Sequence, residues 1–409
     1  MTGRDPQAAS PPVPRRVVVC LGVSQFICWG ISYYLMGAIG EAMARDLGWE
    51  RTVLHGGFAL ALLVMGAVSG AAGRLVDRQG GRRAMVMGSV LQVAGCLGLA
   101  AAPNGLAYYA AWVVLGVAMR LTLYDAAFAA LAHLAGSAAR QPMAQITLLG
   151  GLASTAFWPL GHALSAALGW RGTLLVYAAL ALLTVPLHLA IPRCGAGSLG
   201  RVGPSRPERD APAAPLAAAG RARLWGAALF AAMTTLANFL NAGMSAHMVG
   251  MLSGLGLALP LAVGVAALRG LGQSAARLAE VLFGARLHPL GLGSLAALLM
   301  PLGCLAGLVA GGRVEAAVAF ALLYGAGNGL LTITRGTLPL VLFDHRTYGG
   351  FVGRLVAPGF VVSACAPVAY AALIERAGAG AAMALSLGVA ALVLLASLAL
   401  QWRFAPRRC

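Results

Sequence analysis

The sequence predicts an all-α integral membrane protein. Of its 409 residues, 60% are hydrophobic and only 10% are charged, a balance that soluble domains of this length do not have. The apolar residues form runs of about twenty or more, the length that crosses a bilayer as a helix. The alternating pattern that a membrane β-barrel needs is missing from these runs. Helices therefore satisfy the backbone hydrogen bonds inside the bilayer.

Charged, glycine-rich and proline-rich interruptions divide the apolar sequence into twelve predicted spans in two groups of six. An N-terminal six-helix bundle covers residues 16–191, and a C-terminal six-helix bundle covers residues 223–402. The interval 192–222 is rich in Arg, Pro, Gly and Ala and is predicted to be a linker. Residues 1–15 and 403–409 are predicted tails. The predicted spans are 16–40, 54–74, 84–102, 106–133, 143–168, 172–191, 223–252, 257–284, 288–310, 314–340, 351–374 and 380–402.

The basic residues predict how the chain is oriented. All 29 of them are arginine, and the formal net charge is +17. In a soluble protein this charge would favour nucleic acid, but most of the arginines fall on the loops of one face. That bias is the positive-inside rule, so we expect the linker and both termini to be cytoplasmic and the chain to lie in the inner (plasma) membrane. No nucleic-acid partner is expected.

The seven cysteines are scattered singly, mostly inside apolar runs. This spacing predicts neither a disulfide framework nor a metal site. No nucleophile triad or phosphate-binding loop is visible, so we expect neither an enzyme nor a bound cofactor.

One short stretch between the second and third predicted spans concentrates charge and glycine. It reads Gly-Arg-Leu-Val-Asp-Arg-Gln-Gly-Gly-Arg-Arg over residues 73–83. A charged string of this order between two apolar runs is improbable by chance, and it resembles the signature loop of the major facilitator superfamily of transporters. The residues that supply the pattern are Gly73, Asp77, Arg78, Gly80 or Gly81, Arg82 and Arg83.

That resemblance implies a fold and a mechanism. The expected fold has twelve transmembrane helices in two pseudo-symmetric six-helix bundles, with spans 1, 4, 7 and 10 lining a central cavity. The expected role of the 73–83 loop is conformational gating. We expect Asp77 to accept hydrogen bonds from backbone N–H groups at the N-terminus of a neighbouring helix, where a negative charge is favoured.

Three further stretches resemble a bacterial branch near the monocarboxylate and oxalate/formate carriers. They are Trp-Gly-Ile-Ser-Tyr-Tyr at 29–34, Gly-Trp-Glu-Arg-Thr at 48–52, and Tyr-Gly-Ala-Gly-Asn-Gly-Leu-Leu-Thr-Ile-Thr-Arg-Gly-Thr at 324–337. In those carriers an arginine of the eighth span binds the substrate carboxylate, and Arg277 stands at that place. Leu278 and Glu280 replace the proline and glycine usual there. Those carriers also have a basic residue in the eleventh span, and Arg354 is the candidate for it here.

Polar side chains recur on one side of three expected cavity helices, at about 100° per residue. Such stripes favour a cavity lining, and the alternative is hydrogen bonding between membrane helices. The stripes are Gln25, Trp29 and Ser32 on the first span; Thr234, Asn238, Asn241 and Ser245 on the seventh; and Tyr324, Asn328, Thr332 and Arg335 on the tenth.

Six ionisable side chains are predicted inside the membrane. A charge facing lipid at mid-membrane costs about 2.5–3.5 kcal/mol or more, so these groups must face the protein interior or a wet cavity. On a continuous helix Arg120 and Asp125 point roughly 140° apart and cannot pair with each other. Arg277 and Glu280 could instead form a structural ion pair at i, i+3. The six are Arg120, Asp125, Arg269, Arg277, Glu280 and Arg335.

Four arginines against two carboxylates leave a positive interior, which an anionic ligand would neutralise, and a guanidinium matches a carboxylate bidentately. We therefore expect a secondary transporter of a small organic anion, such as a monocarboxylate, coupled to protons and functional as a monomer in the lipid bilayer. Asp125 or Glu280 is expected to carry the proton. The expected substrate contacts are Arg277, Arg335, Asn328, Arg120, Arg269, Tyr33, Tyr34, Asn238 and Asn241.

Two alternatives stay open at the level of the sequence. Proton-coupled efflux of apolar or cationic drug-like compounds would use an acidic, aromatic-lined cavity, for which Trp29, Tyr33, Tyr34, Trp158 and Asp125 are candidates. The other alternative is a membrane sensor that does not transport. A sensor usually carries an added soluble module, and the 192–222 linker is too short to fold as one.

Overall fold

The computed structural model describes residues 13–192, 215–284, 287–344 and 347–405, and all the regular secondary structure within these ranges is helical. Most of the predicted linker 192–222 and of the tails 1–15 and 403–409 lies outside the described residues. Where the chain resumes, Leu216 and Ala217 donate backbone N–H groups to the carbonyls of Val341 and Leu342, over 3.0 and 2.9 Å. The end of the linker is thereby fixed against the end of the tenth span.

The helices are arranged as twelve spans. Nine helical segments of the described chain are long and apolar enough to cross a membrane, and two of them, Arg140–Leu189 and Tyr348–Phe404, hold two spans each. These two are divided at Gly169 (φ 69°) and Gly378 (φ 81°), in a left-handed conformation that favours glycine. The nine segments give eleven spans, and the 25-residue helix Leu259–Phe283, which is not one of the nine, is the twelfth. The spans are Arg15–Leu47, Arg51–Gln79, Gly81–Ala101, Gly105–Ala135, 140–168, 170–189, Gly220–Gly254, Leu259–Phe283, Pro289–Leu308, Val314–Leu342, 348–377 and 379–404.

Alternating spans bring the connections together at two ends of the molecule. We call one the Gly80 end; it carries the turns at Gly80 and Gly136 and the starts of the ninth and eleventh spans. We call the other the Gly169 end. There Arg171 pairs with Asp46 over 2.8 Å. The 73–83 stretch is at the Gly80 end and is almost entirely helical, because the second span runs to Gln79 and the third begins at Gly81.

The second and eleventh spans join the N-terminal and C-terminal halves through glycine. Gly73 packs so closely on Gly349 and Gly350 that a Cβ atom there would overlap their backbone. Further along the same pair of helices, Gly66 lies against the carbonyl of Ala357. Small residues allow membrane helices to approach to backbone contact, which strengthens their packing. The halves are thus in direct backbone contact over about two helical turns.

Two spans that face each other in the N-terminal half are irregular. The first contains a π-helical segment at Trp29–Tyr33. The fourth, predicted as one helix over 106–133, is broken at Leu123, where φ is −78° and ψ is −173°. The break leaves the Thr122 carbonyl without its usual partner, and the side-chain amide of Gln25 donates a 2.7 Å hydrogen bond to it.

The first-span stripe is therefore only partly a cavity lining, contrary to prediction. Gln25 and Ser32 are fully buried inside the N-terminal half, and the Ser32 hydroxyl donates to the carbonyl of Cys28 in its own helix. Trp29 alone of the three is half-buried. Gln25 points into the N-terminal half because it binds the unpaired carbonyl of the broken fourth span. The positions of residues around one isolated helix cannot predict this contact.

We predict that Gln25→Leu lowers the thermal stability of the purified protein. The substitution leaves the buried Thr122 carbonyl unpaired, at a cost of about 1–3 kcal/mol. The melting temperature in detergent, followed by a thiol-reactive or intrinsic fluorescence signal, should fall by several degrees. Ser24→Ala is the matched control, because Ser24 is equally buried but bonds only to Leu21 in its own helix. Equal losses in both variants would contradict the role given to Gln25.

Candidate functional site

The polar wall of the C-terminal half is built where the eighth and tenth spans touch. Gly325 and Gly329 of the tenth span lie on the carbonyls of Arg269 and Gln273, with no room for a Cβ atom. This contact turns the polar residues of both helices towards one another. The stripe predicted for the tenth span therefore adjoins the charged residues predicted for the eighth.

One amide connects this wall to the seventh span. The Asn241 side-chain oxygen accepts from the Arg269 guanidinium over 2.5 Å and from the Asn328 amide over 3.0 Å. Arg269 also donates to the Ser245 hydroxyl over 3.2 Å, and its guanidinium lies 5.4 Å from the Tyr324 ring centroid. Arg269, Asn241 and Asn328, predicted from three separate helices, thus form one network.

Below this network is a small cavity of about 50 Å³ between the seventh and tenth spans. Asn238 borders it and has no hydrogen-bond partner among the described residues, so its amide is free to meet a ligand. Arg335 lies at the edge of the same cavity. We call this the upper cavity; its lining is Met233, Thr234, Ala237, Asn238, Asn328, Leu331, Thr332 and Arg335.

Arg277 is a buried guanidinium without a carboxylate partner among the described residues. Only 3% of it is exposed. One nitrogen donates to the Thr147 carbonyl of the N-terminal half over 3.2 Å and another makes a long 3.4 Å contact with the Thr332 hydroxyl. Its Nε atom is buried without a partner. Because a buried charge is costly unless it is paired, this group is suited to bind an anion.

Arg335 and Asp125 form an ion pair between the two halves. The Arg335 Nη2 atom lies 2.8 Å from Asp125 Oδ2, with 19% and 14% of the two side chains exposed. Arg120 is close by, 3% exposed, and donates to the Ser69 hydroxyl over 2.7 Å. A second, much smaller cavity of about 10 Å³, the lower cavity, lies among these groups; its lining is Arg120, Asp125, Arg335, Tyr348, Gly349, Val352, Gly353 and Val356.

As predicted, Arg120 and Asp125 do not pair with each other, and each finds its partner on another helix. Both side chains border the lower cavity. The figure of roughly 140° assumed a continuous helix, whereas the extended residue Leu123 separates the two positions. Asp125 consequently lies in the first turn of a new helix, Tyr124–Ala135, where the helix dipole favours a negative charge.

Aromatic rings form the opposing wall on the N-terminal half. The Trp29 ring centroid lies 4.8 Å from Tyr33, 5.9 Å from Tyr34 and 4.8 Å from Tyr124. The Tyr124 hydroxyl donates to the Thr147 carbonyl over 3.2 Å, the oxygen that Arg277 also contacts. The predicted residues Tyr33 and Tyr34 therefore lie in a cluster that adjoins Arg277 through Tyr124.

Glu280 lies at the Gly80 end and does not pair with Arg277. Its carboxylate accepts from Arg140 of the fifth span over 2.9 Å. Arg140 also donates to the carbonyls of Gly284 and Leu287, over 2.7 and 2.5 Å, and so caps the end of the eighth span. The alternative of an Arg277–Glu280 pair is therefore wrong, because a closer guanidinium is supplied by the other half.

The sequence does not single out Arg140, because its contact with Glu280 depends on the fifth and eighth spans lying side by side. His288, next to this cluster, has a pKa below the usual histidine value because of burial and the nearby Arg140 charge. It is thus neutral near pH 7 and adds no further positive charge there.

Asp77 joins three helices at the Gly80 end. Its two oxygens accept the backbone N–H groups of Gly349 and Gly350, at the start of the eleventh span, over 2.8 and 2.6 Å. This hydrogen bonding to a helix N-terminus is the contact expected from the sequence. The His133 ring nitrogen, which the sequence did not single out, lies 2.7 Å from the same carboxylate.

The other predicted loop and basic residues are more peripheral. Arg78, Arg82 and Arg83 lie at the Gly80 end without an ion-pair partner among the described residues, and Gly80 forms the turn with φ 82°. Arg354 is exposed and packs its side chain along Gly70 of the second span. It borders neither cavity, so it does not supply the basic residue expected in the eleventh span.

The hydrogen bonds described between the halves all lie from mid-membrane to the Gly80 end. They join Asp77 to the eleventh span, Arg140 to the eighth, Arg277 to Thr147 and Arg335 to Asp125. The Gly80 end is therefore closed in this structure. In the part of the chain that the structure describes, no group of three or more His, Cys, Asp or Glu side chains could hold a metal ion.

Comparisons with known proteins agree on one family. The family model described as Major Facilitator Superfamily matches residues 21–279. The human organic anion transporter MFSD10 (TETRAN) has a similar structure, with TM-score 0.71, 17% identity, and coverage of 94% of this chain and 99% of that one. No curated protein sequence matches the chain.

Two symporter or transporter structures are also similar. The proton:xylose symporter XylE, bound to 6-bromo-6-deoxy-D-glucose, has a TM-score of 0.74 and 13% identity, covering 96% of each chain. The transporter FucP in the outward conformation has a TM-score of 0.70 and 14% identity, covering 94% of this chain and 98% of that one. At these identities the similarity establishes the fold.

We predict that Asp77→Asn opens the Gly80 end without preventing membrane insertion. The amide keeps one acceptor oxygen but loses the charge and one of two backbone hydrogen bonds, which costs about 1–3 kcal/mol and favours opening by about tenfold. The measurement is maleimide labelling of a cysteine placed at Val352, which is 6% exposed in the closed arrangement, in a chain without native cysteines.

Arg83→Gln is the control for this prediction, because it removes a charge from the same end at an exposed position. It should label like the parent chain. Unchanged labelling of Asp77→Asn would refute the gating role of the carboxylate.

Proposed function

The chain belongs to the major facilitator superfamily, and from this premise we propose that it is a secondary transporter of a small organic anion, such as a monocarboxylate. The family fold supports transport by alternating access of two six-helix halves. The identity of the solute rests on the site. Arg277 is the observation that carries the proposal.

Arg277 supports an anionic solute because it is a fixed positive charge with incomplete pairing. It is 3% exposed, lies between the halves, and contacts only a carbonyl and a hydroxyl. Neutral partners compensate a buried guanidinium less well than a carboxylate does. A substrate carboxylate could accept two parallel hydrogen bonds from it. Binding of the substrate carboxylate would thus supply the negative charge that Arg277 lacks in the protein.

The neighbouring residues suit the rest of such a solute. Arg335, Asn238 and Asn328 offer N–H donors around the upper cavity, and Arg269 extends the positive surface above it. The cluster of Trp29, Tyr33 and Tyr34 faces from the other half and would cover an apolar portion. A structurally similar protein is an organic anion transporter, which is compatible with this assignment at the level of the fold.

We assign the Gly80 end to the cytoplasm, with both termini on that side of the inner (plasma) membrane. Arginines concentrate there, as the positive-inside rule requires. The described arrangement is then closed to the cytoplasm, and transport requires the contacts of Asp77, Arg140 and Arg335 to separate. The protein would act as a monomer, since both halves of the site belong to one chain.

Proton coupling follows from the same ion pairs. Asp125 and Glu280 each hold an arginine of the opposite half, so each would lose its partner when the Gly80 end opens. A carboxylate that loses a nearby positive charge in a poorly hydrated site binds a proton more readily. Either residue could therefore take up the coupling proton during the conformational change.

Efflux of cationic drug-like compounds is the weaker proposal. Asp125 is the only carboxylate among the described residues that border the two cavities, and it is already paired with Arg335. A cation would enter next to at least two guanidinium groups and be repelled. The aromatic cluster alone remains in favour of it. A sensor that does not transport has no supporting feature in the site.

We predict that small carboxylates raise the melting temperature of the purified protein and that Arg277→Ala abolishes the effect. A thermal-shift screen would compare formate, lactate, pyruvate and oxalate with the cations tetraphenylphosphonium and ethidium. Arg171→Ala is the control, because Arg171 pairs with Asp46 at the Gly169 end, 47% exposed. Stabilisation by the cations and not by the carboxylates would overturn the proposal.

We also predict that neutralising the coupling carboxylate removes the pH dependence of uptake. Uptake of a radiolabelled carboxylate into proteoliposomes with an imposed pH gradient would be measured for Asp125→Asn, Glu280→Gln and the parent chain. One variant should transport at a rate independent of the gradient. If both variants keep the parent's pH dependence, neither carboxylate carries the proton.

A further inference from the structure

We propose that Arg335 is a switch shared by the two cavities: an anion that enters the upper cavity withdraws Arg335 from Asp125 and thereby releases a lock between the halves. The inference rests on the proposed anion transport and adds the step that links binding to opening. It assigns Arg335 a positioning role distinct from that of Arg277.

Arg335 is the one residue that borders both cavities among the described linings. On one side its Nη2 atom holds Asp125 over 2.8 Å. On the other side it shares a cavity wall with Asn238, Asn328 and Thr332. The Arg335 guanidinium can therefore donate hydrogen bonds to an acceptor in either cavity, and its long side chain allows it to move from one cavity to the other.

The present contacts of Arg335 are incomplete. Its Nε atom is buried and has no hydrogen-bond partner. Its guanidinium carbon lies 5.3 Å from the Phe360 ring centroid, a weak cation–π contact. Asp125 accepts one hydrogen bond from Arg335. A carboxylate in the upper cavity could instead accept two, from Nε and from one Nη, in a bidentate pair.

Arg120 makes the exchange possible on the other side. It lies in the lower cavity with Asp125, and within the described ranges its only hydrogen bonds are to the Ser69 hydroxyl and carbonyl. When Arg335 leaves, the Asp125 carboxylate keeps a guanidinium in the same cavity, and both residues belong to the N-terminal half. The departure of Arg335 thus removes the ion pair between the halves and leaves Asp125 with one guanidinium, that of its own half, in the cavity.

The energetic consequence favours opening. Close charged pairs across an interface are strongly coupled, so removing this one weakens closure of the Gly80 end. The remaining restraints are the Asp77 contacts with the eleventh span and the Arg140–Glu280 pair. An empty upper cavity leaves Arg335 on Asp125 and the end closed, which would prevent cycling without a solute.

The test compares Asp125→Asn with Arg140→Gln, using formate and lactate as probes. Removing the competitor for Arg335 should raise the affinity for the probes by about tenfold, measured by thermal shift and isothermal titration. Arg140→Gln breaks another ion pair between the halves at the same end without touching Arg335. It should change the affinity much less. Equal gains in the two variants would mean that loosened closure, and not competition, explains the effect.

A second measurement needs no ligand. Spin labels at the exposed positions Gln79 and Leu287, in a chain without native cysteines, report the distance between the halves at the Gly80 end by pulsed electron paramagnetic resonance. Asp125→Asn should populate a longer distance than the parent chain. Asp125→Glu, which keeps the charge, should resemble the parent chain, and Asp125→Ser replaces Asn if that variant does not fold.

The outcomes separate the two proposals. If the probes bind through Arg277 but Asp125→Asn alters neither affinity nor distance, anion transport stands and the switch is wrong. If no carboxylate binds any variant, the proposed function fails. If, in addition, the distance between the spin labels in Asp125→Asn equals that in the parent chain, the Arg335–Asp125 pair does not lock the halves. If Asp125→Asn binds more tightly and opens while Arg140→Gln only opens, the switch is supported.

Discussion

Positive charge buried between the two halves is the constraint on which the rest of the arrangement depends. Arg277 and Arg335 belong to the C-terminal half, and each is held by an oxygen of the N-terminal half, at Thr147 and Asp125. In a third contact the arginine belongs to the N-terminal half, where Arg140 binds Glu280 of the C-terminal half. Closing the Gly80 end and compensating these charges are therefore one event. Any opening must supply new partners for these arginines, and in a poorly hydrated interior a ligand or entering water can do so.

Glycine determines how closely the helices that carry these charges can approach. The second span touches the eleventh at Gly73 and Gly349, and the tenth touches the eighth at Gly325 and Gly329. Backbone contact of this kind is rigid and has little dependence on protonation or ligand. The charged contacts beside it respond to both. The closed end thus combines a fixed docking surface with bonds that can be exchanged, which is what an alternating-access machine requires.

The sequence predicted what is local and missed what depends on which helices meet. Apolar runs broken by charge, glycine and proline located the twelve spans, and the 73–83 stretch led to the contact of Asp77 with a helix N-terminus. The spacing of residues on an ideal helix correctly excluded an Arg120–Asp125 pair. It misplaced Gln25 and did not predict that Arg120 and Asp125 border one cavity, because neither the π-helical segment nor the break at Leu123 is encoded in residue spacing. The partners of Glu280 and Asp77, namely Arg140 and His133, lie on other helices, so no pattern within one span could name them.

The break in the fourth span has a consequence for the chemistry of the interior. It rotates Asp125 into the cavity that Arg120 borders and places its carboxylate at the start of a helix, where the dipole adds to the attraction of Arg335. Gln25 stabilises the break from within the N-terminal half, so the break does not depend on the position of the other half. The N-terminal wall can then stay unchanged while Arg335 comes and goes. A fixed acceptor facing a mobile donor is the geometry that allows a solute to compete for that donor, and here it arises from an interrupted backbone.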